Sequence, residues 1–118
     1  MKEKKMERIL DAIKSLKLNN INLLALVTDT SFEVVFYATV DNTYGQSNEL
    51  AEAGKIDMLA LDNFYRLVAD CIRKSKSYKE DKLNIYKITP DLNSNFTYLE
   101  KNSRIYALKK EWKESFSK

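Results

Sequence analysis

The nine residues from Phe32 to Val40 constrain this chain more than any other stretch. Phe32, Val34, Phe36, Ala38 and Val40 alternate with Glu33, Val35, Tyr37 and Thr39. Successive side chains of a strand point to opposite faces, so a period of two sorts these residues into two sets, one per face. Ile21 to Thr28 reads as a second strand. The polar cluster Asp29-Thr30-Ser31 lies between the two, and the pair is expected to form a hairpin.

Elsewhere the period changes. Met6, Ile9, Leu10, Ile13 and Leu16 recur at three- and four-residue spacing, which predicts an amphipathic helix over residues 2–18. Asn19-Asn20 is its expected stop, because Asn tolerates the left-handed conformation. Asp57 is a suitable N-cap for a helix over about 58–77, whose stripe is Leu61, Phe64, Tyr65, Val68, Cys71 and Ile72. Arg73, Lys74 and Lys76 suit its C-terminal dipole. Leu83–Thr89 and Phe96–Glu100 read as strands around a turn at residues 90–95. Asn102 or Ser103 is the expected cap of a last helix carrying Ile105, Leu108, Trp112 and Phe116. Between these parts, residues 41–45 read as a turn, with Gly45 available for a positive φ. Residues 46–53 are read as an irregular strand, although Glu49-Leu50-Ala51-Glu52-Ala53 has helical propensity.

The expected fold class is therefore α+β: an antiparallel sheet of four to five strands packed with about three helices, in the order α-β-β-(β)-α-β-β-α. Such a sheet commonly packs helices on one face and leaves the other available. At 118 residues, with two glycines, one proline and no internal repeat, the chain is one domain rich in regular elements. A lone cysteine forms no internal disulfide, and the charged N-terminus is unlike a signal peptide. The longest apolar run, Leu23 to Val27, falls far short of the ~20 residues that span a bilayer. These features predict a cytoplasmic protein with no membrane association.

Composition also narrows the chemistry. There is no histidine, which removes the usual acid/base group and every His-based triad or metal set. Cys71 shares a helical stripe with Val68 and Ile72 and reads as core. Gly45 and Gly54 are too isolated to cradle a phosphate, and the acids lack EF-hand spacing. Glu49 and Glu52 are the nearest thing to a carboxylate pair, but nothing around them would shift a pKa. No catalytic residue, cofactor or metal is expected. Lys109-Lys110-Glu111-Trp112-Lys113 places charge beside an aromatic residue, as nucleic-acid contacts require, yet Trp112 falls on the apolar stripe.

Charge is unevenly distributed about a net +3. Residues 18–72 sum to −6, while residues 1–17, 73–82 and 100–118 sum to +3 each. An acidic middle between basic flanks often marks a binding face. Tyr37, Tyr44, Tyr86 and Tyr98 lie off the helical stripes, and tyrosine is enriched at protein interfaces.

Several segments together resemble the YezG-like immunity proteins, and more broadly the immunity proteins of bacterial polymorphic-toxin and contact-dependent inhibition systems. They are the hairpin with Glu33-Val34-Val35-Phe36-Tyr37, the loop Tyr44-Gly45-Gln46 and the helix running from Ile56-Asp57 through Leu61-Asp62-Asn63-Phe64-Tyr65-Arg66-Leu67. The strand pair at 83–100 and the basic Trp-containing helix complete the set. The resemblance implies a non-catalytic antitoxin that binds a cognate toxin C-terminal domain, often a nuclease, and blocks its active or substrate surface. Position and chemistry make Asp29, Glu33, Tyr37, Asp41, Tyr44, Glu49 and Glu52 the expected toxin contacts. The competing readings are a nucleic-acid-associated regulator and a non-catalytic adaptor. A free sheet edge would admit either a partner strand or a second copy of the chain as a homodimer.

Overall fold

Five strands, β1 (Asn19–Val27), β2 (Phe32–Val40), β3 (Thr43–Gln46), β4 (Lys82–Ile88) and β5 (Ser94–Glu100), form one antiparallel sheet in the order β3-β2-β1-β4-β5. Around it lie helices α1 (Lys4–Ser15), α2 (Ser47–Glu52), α3 (Met58–Arg73) and α4 (Tyr106–Phe116). The computed structural model describes residues 4–117, so the start of the first predicted helix, at residues 2 and 3, lies outside the described residues. The α+β class and the element order agree with the sequence reading, with one short helix added.

Side-chain alternation sorts the sheet into two faces and two cores. On the first face, Leu23, Ala25 and Val27 of β1 and Val34, Phe36, Ala38 and Val40 of β2 meet Ile9 and Ile13 of α1 and Leu61, Phe64, Val68 and Ile72 of α3. The Phe64 ring meets Phe36 edge-on, with centroids 5.6 Å apart. Cys71 is buried here, as expected. On the second face, Leu24 and Leu26 of β1 and Leu83 and Ile85 of β4 are closed over by Trp112 of α4, with Ile105, Leu108 and Phe116 beside it. The second face is thus covered, contrary to the expectation that it stays available. The reason is the run Leu23 to Val27: five consecutive apolar residues in a strand put apolar surface on both faces, and both must be covered.

Boundaries follow from caps. The turn after α1 is a Schellman motif: Leu18 N–H donates to Ile13 O and Lys17 N–H to Lys14 O, both at 3.0 Å, with Lys17 left-handed at φ 59. Lys17, not Asn19-Asn20, is the stop, and Asn20 (φ 54) sits where the β1–β2 register shifts. Asp57 caps α3 as expected, accepting Ala60 N–H at 3.0 Å. That helix ends at Arg73 rather than near 77, where Ser75 Oγ takes the Ile72 carbonyl at 2.8 Å. Asn102 and Ser103 do not cap α4; Ile105 holds the cap position without a side-chain bond.

Residues 46–53 are not a strand. The chain leaves β2 through Asp41 (φ 50) and Asn42 (φ 64), the two left-handed residues of a type I′ hairpin turn, so Gly45 is not the turn residue. It pairs for four residues and then enters α2. A reciprocal capping box between Gln46 and Glu49 starts this helix, with Gln46 N–H donating to Glu49 Oε1 at 3.0 Å. Gly54, at φ 75, ends it in a second Schellman turn. Leu50 and Ala51 drop into the first core, which explains why helical propensity wins.

Candidate interaction surface

The seven residues expected to contact a partner occupy three places. Asp29 and Glu33 lie at the β1–β2 end of the sheet. Asp29 Oδ1 receives Lys101 Nζ at 2.5 Å, and Glu33 accepts from Lys109 of α4. Arg73 fixes this end. Its Nε donates to Thr28 O at 3.0 Å and its Nη2 to Ser31 O at 2.9 Å, with the guanidinium over the half-exposed Phe32 ring. The Lys101 ammonium, hydrogen-bonded to Asp29, holds that carboxyl below its ordinary pKa.

Tyr37 and Tyr44 lie farther along the sheet toward the β2–β3 turn, on the α4 face. Tyr37 is four residues along β2 from Glu33 and on the same face, roughly 13 Å of strand. Tyr44 is 55% exposed and stacks on Tyr37, with centroids 6.1 Å apart. Tyr37 is itself backed by Trp112 at 6.0 Å and Phe116 at 5.5 Å, and Lys113 Nζ lies 5.6 Å from its ring. Partial burial against Tyr37 pushes the Tyr44 phenol above its ordinary pKa. The result is a rigid aromatic shelf with one ring outward.

Asp41 sits on the β2–β3 turn and pairs with Lys55 at 3.5 Å, which ties the end of the α2 segment to that turn. Glu49 and Glu52 are on α2, which packs on the first face, so they lie across the β3 edge from the tyrosine shelf. Glu49 is engaged as the cap partner of Gln46. The structure therefore brings Tyr37 and Tyr44 together, places Asp41 beside them at the same end, and distributes the other acids elsewhere.

Of the two other tyrosines, Tyr86 departs from the interface reading. Tyr86 is buried in the first core against Phe96, at 5.0 Å. Tyr98 donates to Ser77 O at 2.6 Å and carries Lys79 over its ring. Trp112, 7% exposed, is a core residue rather than a stacking platform. Burial pushes the Cys71 thiol pKa up, away from the thiolate. Among the described residues, no group of three or more His, Cys, Asp or Glu side chains is placed to hold a metal, and no helix is long and apolar enough to cross a membrane.

Sequence reasoning did not find the partners of Tyr37. The signal was the spacing of Trp112 and Phe116, one helical turn apart on a helix that had to cover something. No protein-family profile, curated protein or solved structure matches this chain.

Proposed function

We propose that this protein is a binding module that neutralises a toxin domain, in the manner of the immunity proteins it resembles. The observation that supports the reading is the Tyr37–Tyr44 shelf. A tyrosine held outward by a stacked ring gives large contact area with little conformational entropy left to lose, and such side chains dominate interface energetics. Asp41 and Thr43 border it with polar atoms, matching an apolar centre with a polar rim. A partner that covers this end would reach Glu52 around the short β3 edge.

The test is growth of a sensitive bacterial host expressing the C-terminal domain encoded immediately upstream, with and without this protein. Restored growth is the expected result. Tyr44→Ala should then weaken binding to that domain by roughly thirtyfold, a loss of about 2 kcal/mol at an interface hot spot. A toxic neighbour that this protein, expressed and folded, fails to restrain would overturn the reading. Protection with Tyr44→Ala at undiminished affinity would move the contact surface away from the shelf.

A further inference from the structure

We infer that β5 is the seam through which two copies of this chain join into one continuous sheet. Every sheet has two edges, and an edge left as a row of unpaired N–H and C=O groups invites another strand. The β3 edge is short, four residues that pass directly into α2. The β5 edge is different. All seven of its residues pair with β4 without a bulge, so the strand is regular from Ser94 to Glu100. It contains no proline, and its one charge, Glu100, is at its last position. None of the usual devices that blunt an edge is present along it.

The second face stops short of this strand as well. The hydrophobic side chains of that second core come from β1, β2, β4, α4 and the residue before it, and no β5 residue is among them. Asn95, Thr97 and Leu99, which point to that face, are exposed, Leu99 to 40%. The strand therefore offers both its backbone edge and an uncovered row of side chains.

A second copy fits this edge in one register better than in any other. An antiparallel self-pairing centred on Thr97 is the register that pairs all seven residues. Phe96 then faces Tyr98 of the second copy, and Tyr98 faces its Phe96. These two rings already stack within one chain at 6.3 Å, so the pairing extends an aromatic row across the seam. Glu100 faces Ser94, and Lys101 faces Asn93, so no like charges meet. Centring on Glu100 or Lys101 would set each of those charges against itself. Closed two-fold pairs are the commonest assemblies of identical chains. The pairing does not depend on the neutralising role proposed above.

One strand pair and its flanking side chains make an interface smaller than the roughly 1,600 Å² of a standard complex, which places dissociation near the micromolar range. Sedimentation velocity at roughly 100 µM, well above such a Kd, tests the inference. The wild type should sediment at twice its 13.8 kDa. The residue at the centre of a two-fold pairing faces its own copy, so Thr97→Lys and Thr97→Glu should each be folded monomers by circular dichroism. An equimolar mixture of the two should recover the dimer, because Lys then faces Glu. A wild type that stays monomeric overturns the inference and leaves the edge to a strand from another protein. A Thr97→Lys protein that still dimerises overturns it too, as does a mixture that stays monomeric.

Discussion

Replacing Trp112 by alanine should free α4 while leaving the rest of the fold in place. The two cores are unequal: among the described residues, twenty-two hydrophobic side chains are buried in the first and five in the second. Trp112 is the one buried residue α4 contributes to that second core, and it meets Tyr37 at 6.0 Å and Phe116 at 5.0 Å. Removing a buried Trp costs about 3–5 kcal/mol, consistent with burial of ~200 Å² at ~25 cal/mol per Å². The remaining anchors, Ile105, Leu108 and Phe116, are only partly buried, and no side chain caps the helix start. An eleven-residue helix is marginal in water without its packing. Hydrogen exchange followed by mass spectrometry reads this directly. Protection of residues 106–116 should fall by about a thousandfold, since each 1.4 kcal/mol is a factor of ten. Amides of β1 and α3 should keep theirs. If β1 and α4 lose protection together, the molecule has one cooperative core and the division argued here is wrong.

Asp57→Ala removes the bond to Ala60 N–H and should cost about 1 kcal/mol in chemical denaturation; no change would mean that water replaces the cap fully. Lys17→Gly should stabilise by about 1 kcal/mol, because Lys17 holds φ 59 at a position where glycine carries no Cβ penalty. A lower midpoint in urea would show instead that the Lys17 side chain contributes more than its backbone strain costs. The Asp29 carboxyl, lowered by Lys101, should titrate by NMR below an ordinary aspartate. Because its folded pKa is depressed, its contribution to stability is present above the unfolded value and is lost as pH falls through the folded one. Lys101→Met should return the midpoint upward, and an unmoved midpoint would refute the assignment of the shift to that ammonium.

Much of the fold is legible wherever local patterning and tertiary packing agree. The alternation of Phe32–Val40 survives intact, as do the stripe of α3 and the Asp57 cap. Local pattern is a poorer guide where one signal carries a consequence elsewhere in the fold. The run Leu23–Val27 was visible as a strand, yet its continuity already required a second covering layer. Residues 46–53 carried helical propensity, but Gln46 is not a favoured cap, so the start of α2 had no strong local mark. Asn84 was invisible altogether. It reads as a polar interruption of β4, but it is fully buried, donating to Lys79 O at 2.8 Å and Lys82 O at 3.0 Å and accepting from Lys79 N–H at 2.9 Å. Its role is to hold the loop between α3 and β4, and only the folded chain supplies those partners. On the candidate surface, the aromatic character of Tyr37 and Tyr44 was legible, whereas their mutual stacking depended on the register Thr39↔Tyr44.

The charge asymmetry of the sequence has a different meaning once the chain is folded. The acidic middle segment meets bases brought from far along the chain: Lys101 comes to Asp29 and Lys109 to Glu33, while Lys55 turns back to Asp41. Each is a surface pair of small energetic worth. Lys109–Glu33 joins α4 to β2, Lys101–Asp29 fastens the connector before it, and Lys55–Asp41 holds the end of the α2 segment to the β2–β3 turn. These pairs also remove the one-signed field that the sequence alone suggests. A cleft speeds encounter with an oppositely charged partner when its charges share a sign and face solvent unpaired. Here three acids of the expected contact set are answered within the molecule, and a fourth, Glu49, is engaged in capping α2. Recognition at this surface then rests on the shape and apolar area of the Tyr37–Tyr44 shelf. Reversing Glu33 and Glu49 to lysine would disturb α4 docking and the α2 cap before it tested any contact, so Glu52→Lys is the charge reversal that probes the surface cleanly.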